Sequence, residues 1–283
     1  MKNIKLTLAY DGTGFHGWQI QPGRETIQGA LAEVAERLVG CRTPIHGAGR
    51  TDAGVHALGQ VANFRANTRL GAEEFQRAFN ALLPAAIRVV QAEEVEPRFH
   101  ARWDAQSKIY QYRIHRGRVL GPFSRFYALH YPFPLDEQAM TEAALAFEGE
   151  HDFTSFAASP GADADGKEVN PVRVVLRSEL VRRPARDLEP PAGPLETLAI
   201  PAFSRSKPPD ELVYVVHGRS FLRNMVRKIV GTLLEVGRGR LSPAELRELF
   251  EARDRSRSGP TVPPQGLYLA AVEYAEPWRI GTP

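Results

Sequence analysis

Both halves of this chain alternate strand-like and helix-like segments, and this alternation limits the folds that it can adopt. Residues 2–10 place apolar side chains at every second position, which is typical of a β-strand. Between Thr26 and Gly40 the apolar residues recur at helical spacing. The pattern of residues 108–116 predicts that the second half begins again with a strand. We therefore predict an α+β fold.

The remaining patterns complete this prediction. Further strands are expected at residues 42–47, 58–65, 87–95, 171–182, 211–217 and 267–274. Further helices are expected at residues 75–83, at 136–148, at 221–236, and from the capping residue Ser242 onward.

Two similar mixed α/β units are expected to share one largely antiparallel sheet, with helices packed on it and a basic active-site cleft between the units. We assign residues 1–105 to an N-terminal domain that carries the glycine-rich loop at 46–56. Residues 106–283 form the C-terminal domain, with a tyrosine strand and a basic helix. Residues 182–209 are rich in proline and charge, which predicts an exposed loop or insertion.

Composition excludes several classes of protein. The chain has 283 residues, 43% of them hydrophobic, which is enough to bury a sizeable core. Its single cysteine, Cys41, excludes an intramolecular disulfide and a thiolate metal cage. No apolar segment approaches the roughly 20 residues that span a bilayer, and the first residues lack the apolar run of a signal peptide. We expect a cytoplasmic protein without a membrane segment.

The charges of the chain are unevenly distributed. The net charge is only +3, but basic residues form clusters. One cluster contains Arg98, Arg102, Lys108, Arg113, Arg116 and Arg118, and another contains Arg219, Arg223, Arg227 and Lys228. Such clusters indicate a local basic surface that suits a polyanion, although solvated helix and strand faces give the same pattern.

The stretch HGAGRTDAGVH, residues 46–56, contains the most unusual chemistry of the sequence. A dinucleotide-binding loop is excluded because Asp52 occupies the position of the third glycine. A P-loop is excluded because Val55 and His56 stand where lysine and serine or threonine are required.

Three readings of this stretch remain open from its residues alone. His46, Asp52 and His56 are close enough in sequence to suggest a metal site, but their spacing matches no standard zinc signature. A tight turn in which Asp52 accepts backbone hydrogen bonds is the structural alternative. In the third reading, Asp52 on a glycine-bounded loop is a catalytic nucleophile or base.

A wider resemblance adds to these readings. The stretch GRTDAGVHALGQVANF at 49–64 closely resembles the catalytic motif of tRNA pseudouridine synthases of the TruA type. Further blocks that resemble this family follow its order along the chain. They are YDGTGFHGWQ at 10–19, TIQGALAEV at 26–34, FHARWDA at 99–105, KIYQYRI at 108–114, HDFTSFA at 151–157, FLRNMVRKIVG at 221–231 and GLYLAAVEY at 266–274. The proline-rich segment near 182–209 looks longer than the family core.

The resemblance implies an activity. Family members convert uridine to pseudouridine at positions 38 to 40 of the tRNA anticodon stem-loop, without a metal or an organic cofactor. They act as homodimers, with tRNA crossing both subunits. We therefore expect tRNA and a second copy of the chain as partners.

The resemblance also implies roles for individual residues. Asp52 matches the essential aspartate, as a nucleophile at C1′ or C6 or as a base in a glycal route, and Arg227 matches its basic partner. Arg50 is expected to help extrude the target base from its stack. Tyr110 matches a tyrosine that stacks on uracil, and Leu267 matches a residue beneath the base. Contacts with tRNA phosphates, which recognise the shape of the stem, are expected from Arg24, Arg98, Arg102 and Arg223.

Two rival functions make different demands on these residues. A noncatalytic RNA-binding protein needs the arginines but not Asp52. A metal-dependent hydrolase needs His46 or His56 and is silenced by a chelator. The activity of a synthase of the expected kind survives chelation and is lost in the Asp52→Asn variant.

Overall fold

The structure, a computed structural model, describes residues 1–158, 170–184 and 210–275. Its centre is a mixed, mainly antiparallel ten-stranded sheet, in which eight strands follow the order β4-β1-β3-β10-β5-β9-β8-β7. β2 pairs with β3, and β6 pairs with β5. The strands are β1 (Lys2–Tyr10), β2 (His46–Gly47), β3 (His56–Ala66), β4 (Ile87–Val95), β5 (Ala105–His115), β6 (Leu129–His130), β7 (Gly149–Asp152), β8 (Val172–Pro184), β9 (Asp210–Gly218) and β10 (Leu267–Tyr274).

Five α-helices belong to the described part of the chain. They are α1 (Ile27–Val39), α2 (Ala72–Leu82), α3 (Glu137–Leu145), α4 (Met225–Gly237) and α5 (Pro243–Ala252). Local sequence explains where these helices begin and end. The Thr26 side chain accepts a hydrogen bond from Gly29 N at the start of α1, and Gly40 ends α1 in the left-handed conformation at φ +78°. Ser242 and Glu245 form the predicted capping box of α5.

The two halves of the chain meet near the middle of the sheet. β1 to β4 lie on one side and β5 to β10 on the other, joined where β3 pairs with β10. This pairing is parallel and short, with His56 opposite Tyr268 and Ala57 opposite Leu269. The first residues of β3 and β10 therefore lie side by side, so the loops that precede these strands become neighbours. The predicted α+β fold is confirmed.

A continuous core supports this centre. Leu6 and Phe64 of the first half and Tyr112 and Tyr214 of the second half are completely buried. In α4, Ile229 and Leu233 lie on the buried side, as their spacing predicts. No helix in the described part of the chain has both the length and the apolar character needed to cross a membrane.

Some predicted boundaries were wrong. The strand expected at 42–47 contains only His46–Gly47, since Pro44 lacks the N–H that a ladder needs. The helix expected from residue 221 begins at Met225, because Asn224 has a positive φ of 60° that interrupts helical geometry. Arg223 therefore precedes the helix and is not one helical turn from Arg227.

The loop predicted at 182–209 was placed to begin too early, because residues 182–184 still belong to β8. The charged residues at the end of β8 suggested a loop, but they continue the strand. The rest of that predicted loop, residues 185–209, lies outside the described residues.

Candidate active site

The loop of residues 48–55 connects β2 to β3 and carries the candidate aspartate. Three hydrogen bonds fix the path of its backbone. Two come from β3: Ala48 N donates to Val61 O, and the Gln60 side chain donates to Gly49 O, both at 2.8 Å. The third comes from Trp18 N, which donates to Thr51 O at 3.0 Å. We call residues 48–55 the aspartate loop. Because the backbone of the aspartate loop is held on both sides, Asp52 has a defined position next to the start of β3.

The turn-rich stretch that follows β1 packs directly against the aspartate loop. The Tyr10 hydroxyl hydrogen-bonds to the Thr51 hydroxyl at 2.8 Å, and burial raises the pKa of Tyr10 to about 12. At Gly47, an added Cβ would lie 2.3 Å from the Trp18 ring, so only glycine fits there. The YDGTGFHGW stretch is therefore structural support for this loop.

Gly54 brings a second loop to the site. Its φ of +76° favours glycine, and an added Cβ would lie 2.9 Å from Pro264 Cγ. Pro264 belongs to the short 3-10 helix, Pro264–Gly266, that leads directly into β10. The aspartate loop is thus in close contact with the segment that positions Leu267.

Asp52 forms an ion pair with Arg227, as the resemblance implied. Arg227 Nη1 lies 3.5 Å from Asp52 Oδ2, and the two side chains are 15% and 33% exposed. The guanidinium is itself held, because Nε donates to Val262 O at 2.7 Å and Nη1 donates to Asn224 Oδ1 at 3.1 Å. A fixed cation therefore orients a carboxylate that solvent and substrate can still reach.

Tyr110 lies beside the same loop. It is 7% exposed, and its hydroxyl is 4.0 Å from the position of a Cβ added at Gly49. The ring packs edge-on against Phe221 with centroids 5.0 Å apart. Burial raises the pKa of the Tyr110 hydroxyl far above its ordinary value, and Tyr10 and Asp52 raise it further. Tyr110 is therefore a neutral phenol at the site, not a core residue remote from it.

Leu267 and Arg50 occupy contrasting environments. Leu267 begins β10, is 6% exposed and pairs in register with Tyr112 of the tyrosine strand. Arg50 is exposed, and its side chain makes no hydrogen bond or ion pair with any described residue. The guanidinium of Arg50 is therefore available to contact a substrate.

The four arginines expected at the rim are all exposed, but their contacts differ. Arg24 lies near His16, with Nη1 3.4 Å from the imidazole Nε2. The Arg102 guanidinium is 4.8 Å from the centroid of the Trp103 ring. Arg98 forms an exposed ion pair with Glu96 at 2.9 Å. Arg223 accepts a hydrogen bond from Ala158 N through its backbone oxygen.

The histidines of the HGAGRTDAGVH stretch do not join Asp52 in a metal-binding cluster. His46 packs against His100, with ring centroids 4.7 Å apart. The His56 Nδ1 accepts from Gly12 N at 3.1 Å, and its Nε2 is 2.9 Å from Phe126 O. Within residues 1–158, 170–184 and 210–275, no three His, Cys, Asp or Glu side chains are placed to hold a metal ion.

Sequence reasoning missed the residues that support the catalytic candidates. Tyr10 and Gln60 brace the aspartate loop, while Asn224 and Val262 hold Arg227. Tyr10, Gln60 and Asn224 all lie inside stretches that resemble family blocks, but a resemblance assigns no contacts. The asparagine at position 224 was a possible signal, since this residue type tolerates the positive φ found there better than most residues.

Comparison with known proteins identifies the class. The family model for tRNA pseudouridine synthase matches residues 7–104 and 143–275. The chain belongs to the tRNA pseudouridine synthase family, whose members are isomerases.

Individual relatives narrow this assignment. A tRNA pseudouridine synthase A from Solibacter usitatus is 47% identical over 274 residues, covering 97% of this chain and 100% of the relative. Proteins of the same name from Geobacter sp. and Geobacillus sp. are 42% and 41% identical, covering 98% and 96% of this chain and 100% and 98% of the relatives. The predicted TruA type is confirmed.

Proposed function

We propose that this protein isomerises uridine to pseudouridine at positions 38, 39 and 40 of the tRNA anticodon stem-loop. The observation that carries the proposal is the Asp52–Arg227 ion pair, 3.5 Å long, on a braced loop beside a neutral tyrosine. Membership of the tRNA pseudouridine synthase family supports the substrate class. The set of nucleotides follows from the resemblance to TruA-type enzymes.

The proposed reaction breaks the bond from uracil N1 to ribose C1′ and forms a bond from C5 to C1′. The proton on C5 is lost, and N1 acquires a proton, so the product is an isomer of the substrate. Asp52 acts as nucleophile or as general base. Arg227 holds the carboxylate in one orientation throughout. No metal ion or organic cofactor enters this chemistry.

Tyr110 and Leu267 hold the detached base in this proposal. The aromatic ring of Tyr110 stacks on uracil and limits the directions in which the base can turn. Its hydroxyl, kept neutral by burial, can donate a proton, and its lone pair can accept a hydrogen bond. Leu267 provides an apolar contact beneath the base.

Arginines bind the RNA around this site. A paired uridine must leave its stack before reaction, and Arg50, whose side chain has no partner among the residues that the structure describes, is proposed to fill the vacated space. Arg24, Arg98, Arg102 and Arg223 are proposed to contact phosphates, which recognise the shape of a stem rather than its sequence.

We also propose the organisation that goes with this activity. Residues 1–105 and 106–283 form two units, and the placement of β1–β4 and β5–β10 on opposite sides of the sheet supports this division. A cytoplasmic homodimer is proposed from the resemblance. Light scattering coupled to size exclusion tests the dimer: a mass near twice 31.4 kDa supports it, and a mass near 31.4 kDa contradicts it.

The function is tested with an unmodified tRNA transcript that carries uridines at positions 38 to 40. After incubation with the protein in EDTA, pseudouridine is mapped by carbodiimide-dependent primer extension. Stops at these positions support the proposal, and a transcript with cytidines there is the matched control. Binding of tRNA without any stop favours a noncatalytic RNA-binding protein. Activity that EDTA abolishes favours the metal-dependent reading.

A further inference from the structure

Lys108 lies on β5 two residues before Tyr110, so both side chains extend from the same face of the strand. Its side chain passes the aspartate loop: Cε and Cδ are 3.2 Å and 3.6 Å from the position of a Cβ added at Gly49. The same added Cβ would be 4.0 Å from the Tyr110 hydroxyl. Lys108 therefore borders the site without belonging to the Asp52–Arg227 pair.

The ammonium group of Lys108 has no partner among the described residues. No hydrogen bond or ion pair joins Lys108 Nζ to any residue that the structure describes. The other lysines in the same part of the chain all have oxygen partners. These are Glu94 for Lys2, Glu93 for Lys5, and Arg255 O with Ser258 for Lys228.

The surroundings of Lys108 disfavour an unpaired charge. Burial lowers the pKa of the Lys108 ammonium, and the positive charge of Arg102 lowers it further. A half-buried cation beside a second cation becomes more stable when an anion arrives. The side chain is therefore preorganised to bind a negative group that the protein does not supply.

The position of Lys108 identifies this anion. The Lys108 side chain lies near Gly49 and the Tyr110 hydroxyl, and Arg102 is near enough to lower the pKa of its ammonium group. Arg102 rests on the exposed ring of Trp103, outside the aspartate loop. Lys108 therefore lies beside the tyrosine that the proposed function places against the target uridine, where an RNA ligand carries its negatively charged phosphates.

We propose that Lys108 binds a backbone phosphate of the RNA next to the target uridine, and that Arg102 extends this contact toward the rim. The proposal rests on the proposed function, because it takes tRNA as the ligand. Lys108 acts as a point charge that positions the nucleotide and takes no part in bond breaking. It differs in this respect from Asp52 and Tyr110.

The test compares Lys108→Met with wild-type protein in binding an unmodified tRNA over a range of salt concentrations. Loss of one phosphate contact is expected to reduce the slope of log K against log salt by roughly 0.7 to 0.9. Affinity at low salt is expected to fall about tenfold, as for loss of one charge-assisted contact. Lys108→Arg keeps the charge and should restore the slope, while Lys2→Met is the matched control that leaves it unchanged.

A second readout separates binding from structural damage. Removing a half-buried charge that has no partner within the described ranges is expected to leave the melting temperature unchanged or to raise it. Lower affinity with a native or raised melting temperature supports the proposal. If Lys108→Met does not fold, Lys108→Gln is measured in the same way.

The outcomes distinguish this proposal from the function on which it rests. Wild-type protein that forms no pseudouridine contradicts the proposed function. Wild-type protein that forms pseudouridine, with the same salt slope in the Lys108→Met or Lys108→Gln variant, contradicts the role of Lys108 alone. A slope that falls equally in Lys108→Arg also contradicts it, because the charge is then not what matters.

Discussion

The Asp52 carboxylate lies 3.5 Å from the Arg227 guanidinium, and this contact joins residues that are far apart in the sequence. Asp52 is on the loop before β3, while Arg227 is in the first turn of α4. The contact therefore links the first half of the chain to the second at the proposed site. Arg227 is held by Val262 O and by the Asn224 side chain, so the pair is rigid from the arginine side.

Replacing Arg227 by methionine is expected to reduce the rate of pseudouridine formation by roughly 10- to 100-fold, which corresponds to the loss of one interaction between charged groups. The carboxylate loses its fixed partner and its preferred orientation. Single-turnover rates with tRNA measure the effect. Arg247→Met, on the exposed side of α5, is the control and should retain the wild-type rate. An unchanged rate in Arg227→Met would show that the ion pair is not needed.

Replacing Gly54 by alanine is expected to destabilise the fold by about 1 to 3 kcal/mol. A side chain at a φ of +76° is strained, and its Cβ would approach Pro264 Cγ to 2.9 Å. Urea denaturation measures the free energy of unfolding. Gly14 has no atom within 4 Å of an added Cβ, so Gly14→Ala should change stability by less than about 0.5 kcal/mol. Equal effects of the two substitutions would contradict this account of the loop contact.

Replacing Tyr110 by phenylalanine is expected to preserve stability while reducing the reaction rate. The hydroxyl makes no hydrogen bond to any described residue, so its removal leaves no partner unsatisfied, and the ring contact with Phe221 remains. If the hydroxyl transfers a proton, the rate falls by roughly 100-fold or more. Thermal unfolding and single-turnover kinetics measure the two effects. A wild-type rate in Tyr110→Phe would limit Tyr110 to stacking.

Stability is expected to fall as the pH is lowered from about 7.5 to 5.5. Burial lowers the pKa of His56 in the folded protein, so the unfolded chain binds a proton more readily below the ordinary value of about 6.5. The contribution of one such group is at most about 1.4 kcal/mol per pH unit. Urea titrations at several pH values measure this dependence. His56→Gln should make it shallower, and an identical pH dependence in this variant would exclude His56 as its source.

Local features of the fold were predictable from the sequence because their causes are local. The ends of α1 at Thr26 and Gly40, and the capping box at Ser242, depend on a few neighbouring residues. The alternating pattern likewise located β1 and β10. The start of α4 was wrong because the left-handed conformation of Asn224 is an exception to the helical spacing around it.

The candidate site was predictable in its residues but not in its geometry. The residue types around Asp52 left a turn, a metal site and a catalyst open, and only the resemblance favoured one of them. The contacts of Tyr10 with Thr51 and of Arg227 with Val262 O depend on how distant segments pack. That Lys108 finds no partner in the described part of the chain is likewise a property of the fold, since a basic cluster alone does not reveal which charge is unpaired.

The most direct test of the central claim is the amount of pseudouridine formed by Asp52→Asn. The substitution keeps the size of the side chain and removes the carboxylate. Purified variant and wild-type protein are incubated in EDTA with the same tRNA transcript, and tRNA binding is measured in parallel. The account predicts stops at positions 38 to 40 with wild-type protein and none with Asp52→Asn, while the variant still binds tRNA. Pseudouridine formed by Asp52→Asn at the wild-type rate would contradict the assignment of Asp52 as the catalytic residue.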